Sequence, residues 1–322
     1  MKAIICKEYG PIENLVYGEM DDPKPGSRNV ILKAEAIGVN FPDGLLVQGL
    51  YQAKPPTPFV PGMELVGTII EMGDKVEGFK IGDRVGAMAM IGAFAEKVSV
   101  PAANLMGLPP TADSAEVTAL ICGYGTSHHA LKQRGQLKAG ETLVVTGAAG
   151  LTGLAAVQIG KAMGAKVIAV ASSEEKRKVC LDNGADIALS YDNLKDEIKN
   201  ATDGKGADVV FDVVGGSVFE ACSRAMAWNG RLLVIGFASG EIPQFPVNLA
   251  LVKGYAVIGV FWGSFTAKEP EVFAGNMKEM MDWYMNGDIK PLVEAVYPLE
   301  KAADALKFIH DRKAVGKVVL KP

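Results

Sequence analysis

Leu143-Val144-Val145-Thr146-Gly147-Ala148-Ala149-Gly150-Leu151-Thr152-Gly153 is the stretch that decides how this chain is built. Its first four residues are apolar or β-branched and predict a buried strand; glycines at intervals of three follow at once. The amphipathic run 151–163 predicts a helix directly after them. Strand, glycine turn and helix start together make a phosphate cradle. Glycine lets the backbone approach a pyrophosphate closely, and the first helical N–H groups are unpaired and partly positive. Ala149, Gly150, Leu151, Thr152 and Gly153 are the predicted phosphate contacts.

Further apolar runs recur at 166–170, 187–191, 208–213, 231–235 and 255–261, with helix-length segments such as 174–183 between most of them. Val/Ile/Leu runs separated by helices predict a parallel sheet buried on both faces. Six strands in this rhythm fit a doubly wound α/β dinucleotide-binding (Rossmann) domain. The chain before Gly123 reads differently, as short strands at 30–37, 64–72, 84–89 and 94–100. Pro23, Pro25, Pro55, Pro56, Pro58 and Pro61 break any helix nearby, so a mostly-β, partly barrel-like module is expected. After the six-strand region come a helix near 271–286, a strand near 293–297, a helix at 300–312 and a strand at 316–320. This tail is expected to fold back onto the first module. The expected domains are 1–124 with 262–322, and 125–261.

The second strand of the dinucleotide domain ends Ala169-Val170-Ala171-Ser172-Ser173, where an NAD enzyme would place a carboxylate for the ribose hydroxyl. Ser172 and Lys176 can instead meet a 2′-phosphate, and Tyr191 can close over the adenine ribose phosphate. This favours NADPH over NADH. The competing reading makes Ser172 and Glu175 a helix capping box and Lys176 a solvated charge.

Composition sets the outer limits. The 322 residues are 49% hydrophobic and 22% charged, with net charge -4, which suits two globular domains and opposes general nucleic-acid binding. No stretch approaches the ~20 apolar residues of a membrane span. The first residues read as a short strand rather than a signal peptide, so a cytosolic protein is expected. Cys6, Cys122, Cys180 and Cys222 are far apart and form no CxxC pair, as expected for buried, reduced thiols.

Several further motifs carry a resemblance. They are Ile37-Gly38-Val39-Asn40-Phe41-Pro42-Asp43, Gln48-Gly49-Leu50-Tyr51, Pro61-Gly62-Met63-Glu64, Gly82-Asp83-Arg84-Val85 and Gly316-Lys317-Val318-Val319-Leu320. With the glycine turn, they resemble the zinc-independent quinone oxidoreductase branch of the medium-chain dehydrogenase/reductase superfamily over essentially the whole chain. The resemblance implies that the β-rich module is GroES-like. Zinc-dependent relatives carry Cys where this chain has Asn40 and His where it has Met63. Asn and Met are poor zinc ligands, and adjacent His128 and His129 point apart, so no metal is expected.

The resemblance further implies hydride transfer from NADPH, with Asn40 and Tyr51 beside the nicotinamide and Thr126 near its carboxamide. Val214, Gly215, Gly236, Phe237, Ala238, Val260, Phe261 and Trp262 match strand-end loops flanking ring and ribose, and Lys317 matches a cofactor-contacting position. The family's Ala-Ala-Gly-Gly-Val-Gly reads Ala-Ala-Gly-Leu-Thr-Gly here. Negative charge grows on the acceptor oxygen as hydride arrives, and without a metal a hydroxyl or amide must stabilise it. Tyr51 is the first candidate donor and Asn40 the second. A quinone or other electron-poor carbonyl or enone is the expected substrate. A 2-enoyl-thioester reductase and a non-catalytic, crystallin-like NADPH-binding protein are the alternatives. The apolar run 255–261 is expected at a sheet edge, where pairing with its own copy would give a homodimer.

Overall fold

Alternating apolar and polar residues early in the chain give short strands, and frequent prolines keep the segments between them from becoming long helices. The computed structural model describes all 322 residues. They divide into two units, Met1–Cys122 with Pro291–Pro322, and Gly123–Lys290.

In the first unit β1 (Lys2–Ile5) pairs antiparallel with β2 (Val16–Glu19). A larger sheet is built on β3 (Asn29–Val39), β4 (Glu64–Met72), β5 (Arg84–Met88), β6 (Lys97–Pro101) and β7 (Leu105–Gly107). The short helix α1 (Phe41–Val47) follows β3 directly, and α2 (Ser114–Ala119) follows β7. Pro42 lies in the first turn of α1, where its missing N–H breaks no helical bond. Asp43 accepts from the Asn40 backbone N–H at 2.8 Å and fixes the helix entry.

The second unit begins with α3 (Gly125–His129), flanked by π-helical turns at Leu120–Tyr124 and Ala130–Arg134. Strand and helix then alternate: β8 (Thr142–Thr146), α4 (Leu151–Ala162), β9 (Lys166–Val170), α5 (Glu174–Asp182), β10 (Ile187–Leu189) and α6 (Leu194–Ala201). The rhythm continues through β11 (Ala207–Asp212), α7 (Gly216–Arg224), β12 (Met226–Val234), α8 (Asn248–Lys253) and β13 (Ala256–Gly259). The order β10-β9-β8-β11-β12-β13, parallel throughout, is the doubly wound sheet expected from the sequence. Every loop that leaves a strand therefore emerges at one edge, and strand order reverses between β8 and β11. The unit ends with α9 (Trp262–Lys268) and α10 (Pro270–Asn286).

The chain then returns to the first unit through β14 (Val293–Pro298), α11 (Ala302–His310) and β15 (Lys317–Lys321). β15 lies antiparallel to β3, with Val318 opposite Val39, so the first unit's sheet runs β14-β15-β3-β4-β5-β7. That register brings Lys317 alongside Asn40.

Two expectations of the fold differ from the structure. Residues 262–290 group with the dinucleotide unit, not with the barrel-like one. The cause is the inward face of α10. Asn276, Met277, Met280 and Met281 are buried, Asn276 bonds Gln133 at 2.9 Å, and Glu279 meets His128 at 2.7 Å. Met285, near the end of α10, is exposed. The last strand is also shorter than the run 255–261. It stops at Gly259, and Phe261 already caps α9.

Candidate active site

The glycine turn separates packing from recognition. A Cβ on Gly153 would lie 2.3 Å from the Gly147 carbonyl oxygen, and one on Gly147 would lie 2.6 Å from Val213. Gly147 also has φ +60°. Packing alone therefore demands glycine at both. Gly150, the residue capping α4, has φ -72°, and a Cβ there would meet nothing closer than 3.5 Å. Its missing side chain leaves open backbone, the condition for close approach of a phosphate. Leu151, the departure from the family pattern, lies against Gly123, whose added Cβ would sit 2.6 Å from it. The Ser127 hydroxyl donates to the Thr152 carbonyl at 2.7 Å and anchors the helix start.

Around this turn the parallel sheet gathers most of the predicted cofactor contacts at the carboxyl ends of its strands. Ser172 and Lys176 follow β9, Tyr191 follows β10, Val214 and Gly215 follow β11, Gly236, Phe237 and Ala238 follow β12, and Val260, Phe261 and Trp262 follow β13. The Tyr191 hydroxyl accepts from the Gly147 N–H at 3.0 Å. Its ring lines a cavity of about 300 Å³ together with Asn193, Ser217 and Val218. Thr126 is half-buried in α3. The Trp262 indole lies over Gly125, and its buried Nε1–H has no partner within the chain. The orphaned donor and the open glycine suit a polar, phosphate-bearing cofactor.

The expected capping box of Ser172 and Glu175 does not form, and the cap of α5 falls to Ser173. Ser173 caps α5, accepts from the Lys176 N–H at 3.2 Å and bonds Glu175. Ser172 is left exposed. Half-buried Arg177, which the sequence reading passed over, donates to the Ala171 carbonyl at 3.3 Å and adds a second cation behind β9.

In the first unit Asn40 follows β3 as the residue capping α1, and is 9% exposed. Its Nδ2 donates to Glu64 Oε1 at 2.8 Å, and its Oδ1 accepts from Lys317 Nζ at 3.1 Å. Lys317 and Glu64 form an ion pair with no exposed surface. Nζ also donates to the Val39 carbonyl at 3.2 Å, so all three ammonium hydrogens are engaged inside the protein. Lys317, expected against the cofactor, thus sits behind Asn40 with no donor left over. Glu64 Oε2 accepts from the Cys122 N–H at 2.7 Å. Burial, then the Glu64 charge, pushes the Cys122 thiol well above its ordinary range. Asp43 is fully buried with Oδ1 unpartnered, and burial raises it to about 7. Tyr51 is half-buried and its hydroxyl makes no hydrogen bond. Burial, then nearby Cys122 and Asp43, raises it above the usual phenol value, so it stays protonated at neutral pH.

Glu64 and Asp43 lie inside the motifs 61–64 and 37–43, where the sequence assigns them no role. The available signals are a carboxylate directly before the largely apolar run 65–70, and another three residues after Asn40 at a helix start.

Three comparisons fix the family. Residues 26–110 match the alcohol dehydrogenase GroES-like domain and residues 152–283 the zinc-binding dehydrogenase family. A quinone oxidoreductase-like protein 2 homolog of Nematostella vectensis is 38% identical over 99% of this chain and 88% of its own length. The chain belongs to the quinone oxidoreductase branch of the medium-chain dehydrogenase/reductase superfamily. A mycobacterial structure in complex with NADPH shares 33% identity and superposes with a TM-score of 0.94 over 100% of both chains. Escherichia coli quinone oxidoreductase complexed with NADPH shares 27% identity, with a TM-score of 0.93 and 100% coverage of both. The fold is thus a Rossmann unit with a GroES-like unit, and the protein is an oxidoreductase.

The name of the zinc-binding family raises the question of a metal, and the donor set in this member does not suit one. Where a thiolate and an imidazole would be required, the chain presents the Asn40 amide and the Met63 thioether. A buried ammonium already occupies Asn40 Oδ1, and Cys122 is held as the thiol. His128 and His129 have other work: one bonds Glu279, and the other stacks on Phe265.

No helix is long and apolar enough to cross a membrane.

Proposed function

We propose that this chain catalyses metal-free hydride transfer from NADPH to a quinone, or to another electron-poor carbonyl or enone. Two similar structures that hold NADPH support the cofactor, as does the lack of any carboxylate at the end of β9. In this reading the backbone from Ala149 to Gly153 binds the pyrophosphate, and Ser172 and Lys176 bind the 2′-phosphate. Tyr191 borders the adenine side. Thr126, Val214, Gly215, Gly236, Phe237, Ala238, Val260, Phe261 and Trp262 border the nicotinamide half. When bound, NADPH supplies a hydride and leaves as NADP⁺.

The chain's own task is to meet the negative charge that grows on the acceptor oxygen. Preorganised donors do this best, since they need no reorientation during reaction. The observation that carries the proposal is Asn40, whose amide is fixed between a buried ammonium and a buried carboxylate with one N–H still unpaired. Tyr51 offers a free, protonated hydroxyl as second donor or proton source. A quinone needs least assistance, because its reduced form is aromatic and water can supply the proton.

NADPH oxidation against quinones, enones, aldehydes and crotonyl-CoA, with NADH in parallel, tests the proposal. Fastest turnover of quinones with NADPH is expected. A preference for crotonyl-CoA would make the chain an enoyl-thioester reductase, and tight NADPH binding without turnover of any acceptor would make it a non-catalytic binder.

We further propose a homodimer through β13. Val257 and the α8 residues Leu251 and Val252 are exposed beside this edge strand, with Val247 just before α8, so the apolar edge is uncovered within the chain. Sedimentation as a monomer at micromolar concentration would refute this. Four unpaired cysteines support residence in the cytosol.

A further inference from the structure

The first unit buries two opposite charges that the proposed chemistry does not itself use. Lys317 and Glu64 are both without exposed surface, and burying an ion pair stabilises a fold little compared with apolar packing. Room for the pair comes from Gly38 on β3. A Cβ there would lie 2.2 Å from Glu64 Oε1 and 2.7 Å from Lys317 Nζ.

The contacts are divided in one specific way. Lys317 touches the oxygen of the Asn40 amide and Glu64 touches its nitrogen. A flipped amide would set oxygen against carboxylate and NH₂ against ammonium, two repulsive contacts in place of two attractive ones. The backbone on either side is pinned as well, by Lys317 on the Val39 carbonyl and by Asp43 on the Asn40 N–H. Because the amide is planar, fixing one N–H on Glu64 fixes the direction of the other.

We propose that Lys317 and Glu64 are positioning residues that lock the Asn40 carboxamide in one orientation, with its second N–H presented to the acceptor oxygen. This rests on the reading of Asn40 as a donor given above. Lys317 thus acts on the reaction through Asn40, and NADPH affinity is set elsewhere.

A double-mutant cycle tests it. N40A in the otherwise unchanged protein is expected to lower kcat with a quinone about a hundredfold, the effect of removing one preorganised donor. The charge-neutral pair E64Q/K317M avoids an unpaired buried charge. It is expected to lower kcat at least about tenfold while leaving the NADPH Kd within about twofold, since a donor used only in the transition state affects kcat. Adding N40A to that pair is expected to cost little more, because the donor is already misplaced. Wild-type kcat in the pair, or effects that simply multiply, overturns the positioning role and leaves the quinone reading intact. Wild-type kcat in N40A overturns both.

Should the double variant fail to fold, the unsubstituted protein still decides. The Asn40 side-chain amide protons, assigned by their loss in N40A, are expected as one pair of well-separated NMR resonances, with the Glu64-bound proton far downfield. An averaged or doubled pair overturns the lock.

Discussion

Thr146 Oγ1 donates to Asp212 Oδ1 at 2.5 Å and ties the end of β8 to the end of β11, where the strand order reverses. The buried Asp212 carboxylate also accepts from the N–H groups of Val214 at 3.0 Å and Gly215 at 3.2 Å. The Thr146 oxygen accepts from Val213 N–H at 3.2 Å. One hydroxyl and one carboxylate thus hold the Val213–Gly215 backbone against the start of the glycine turn. Thr146→Val keeps the shape and removes the two hydroxyl bonds, leaving the part-buried Val213 N–H unpaired. Urea denaturation is expected to report a loss of about 1–3 kcal/mol. Fluorescence titration is expected to find NADPH bound about tenfold more weakly, equivalent to roughly 1.4 kcal/mol. Unchanged values in both would show that the brace positions nothing.

Two glycines in one turn are expected to fail in different ways. Gly153→Ala drives a methyl into the Gly147 carbonyl and should destabilise the fold by about 1–3 kcal/mol, as overpacking does. Gly150→Ala meets no such obstacle and should change stability by less than about 1 kcal/mol, the scale of a cap substitution. It should still weaken NADPH binding at least about tenfold, because the methyl enters the space a phosphate needs. Thermal unfolding without cofactor, set beside NADPH titration, separates the two. Equal loss of affinity and stability at both positions would mean that Gly150 serves packing as well.

The same turn shows what the sequence could reveal. Strand, glycine spacing and helix are local signals, so the parallel sheet and its gathered strand ends were legible from residues 143–261. The buried cluster in the first unit was not. Asn40, Glu64 and Lys317 are brought together by β3, β4 and β15, and nothing local records that register. The resemblance marks Lys317 as a cofactor contact, and a lysine in a short motif gives no sign that its ammonium will be fully buried. The unit boundary failed for a similar reason: α10 is amphipathic, but periodicity does not say which unit receives its methionine face. Ser172 and Ser173 are equivalent as text, and only the backbone decides which caps α5.

That capping result sharpens the prediction for cofactor choice. Ser172 is exposed and Lys176 starts its reach from the first turn of α5, with Arg177 beside it. Ser172→Asp places a carboxylate where a 2′-phosphate is proposed and a ribose hydroxyl would suit NADH. Lys176→Ala removes a charge-assisted contact worth about 1.5–3 kcal/mol. Each is expected to lower kcat/KM for NADPH by about 10- to 100-fold, since 1.4 kcal/mol is a factor of ten. Lys176→Ala is expected to leave the NADH value nearly unchanged, and Ser172→Asp to raise it. Parallel losses with both nucleotides would place the 2′-phosphate elsewhere.

Asp43 should leave a pH signature in stability. Burial raises its carboxyl from an ordinary 3.8 to about 7, the nearby Glu64 charge adds to the rise, and the Asn40 N–H and Lys317 oppose it. Between about pH 4 and pH 7 the folded chain therefore holds a proton that the unfolded chain has released. The contribution to stability is complete below pH 4 and is lost as pH rises through 7, on the order of 4 kcal/mol for three pH units. Asp43→Asn mimics the protonated form and retains an acceptor for the Asn40 N–H. The two proteins are expected to have similar stabilities at pH 4, with the variant progressively more stable toward pH 8. All other titrating groups are common to both, so urea midpoints measured in parallel isolate this carboxyl. Curves that stay a constant distance apart from pH 4 to 8 would mean that Asp43 is ionised throughout, and that the cluster around Asn40 carries an additional buried charge.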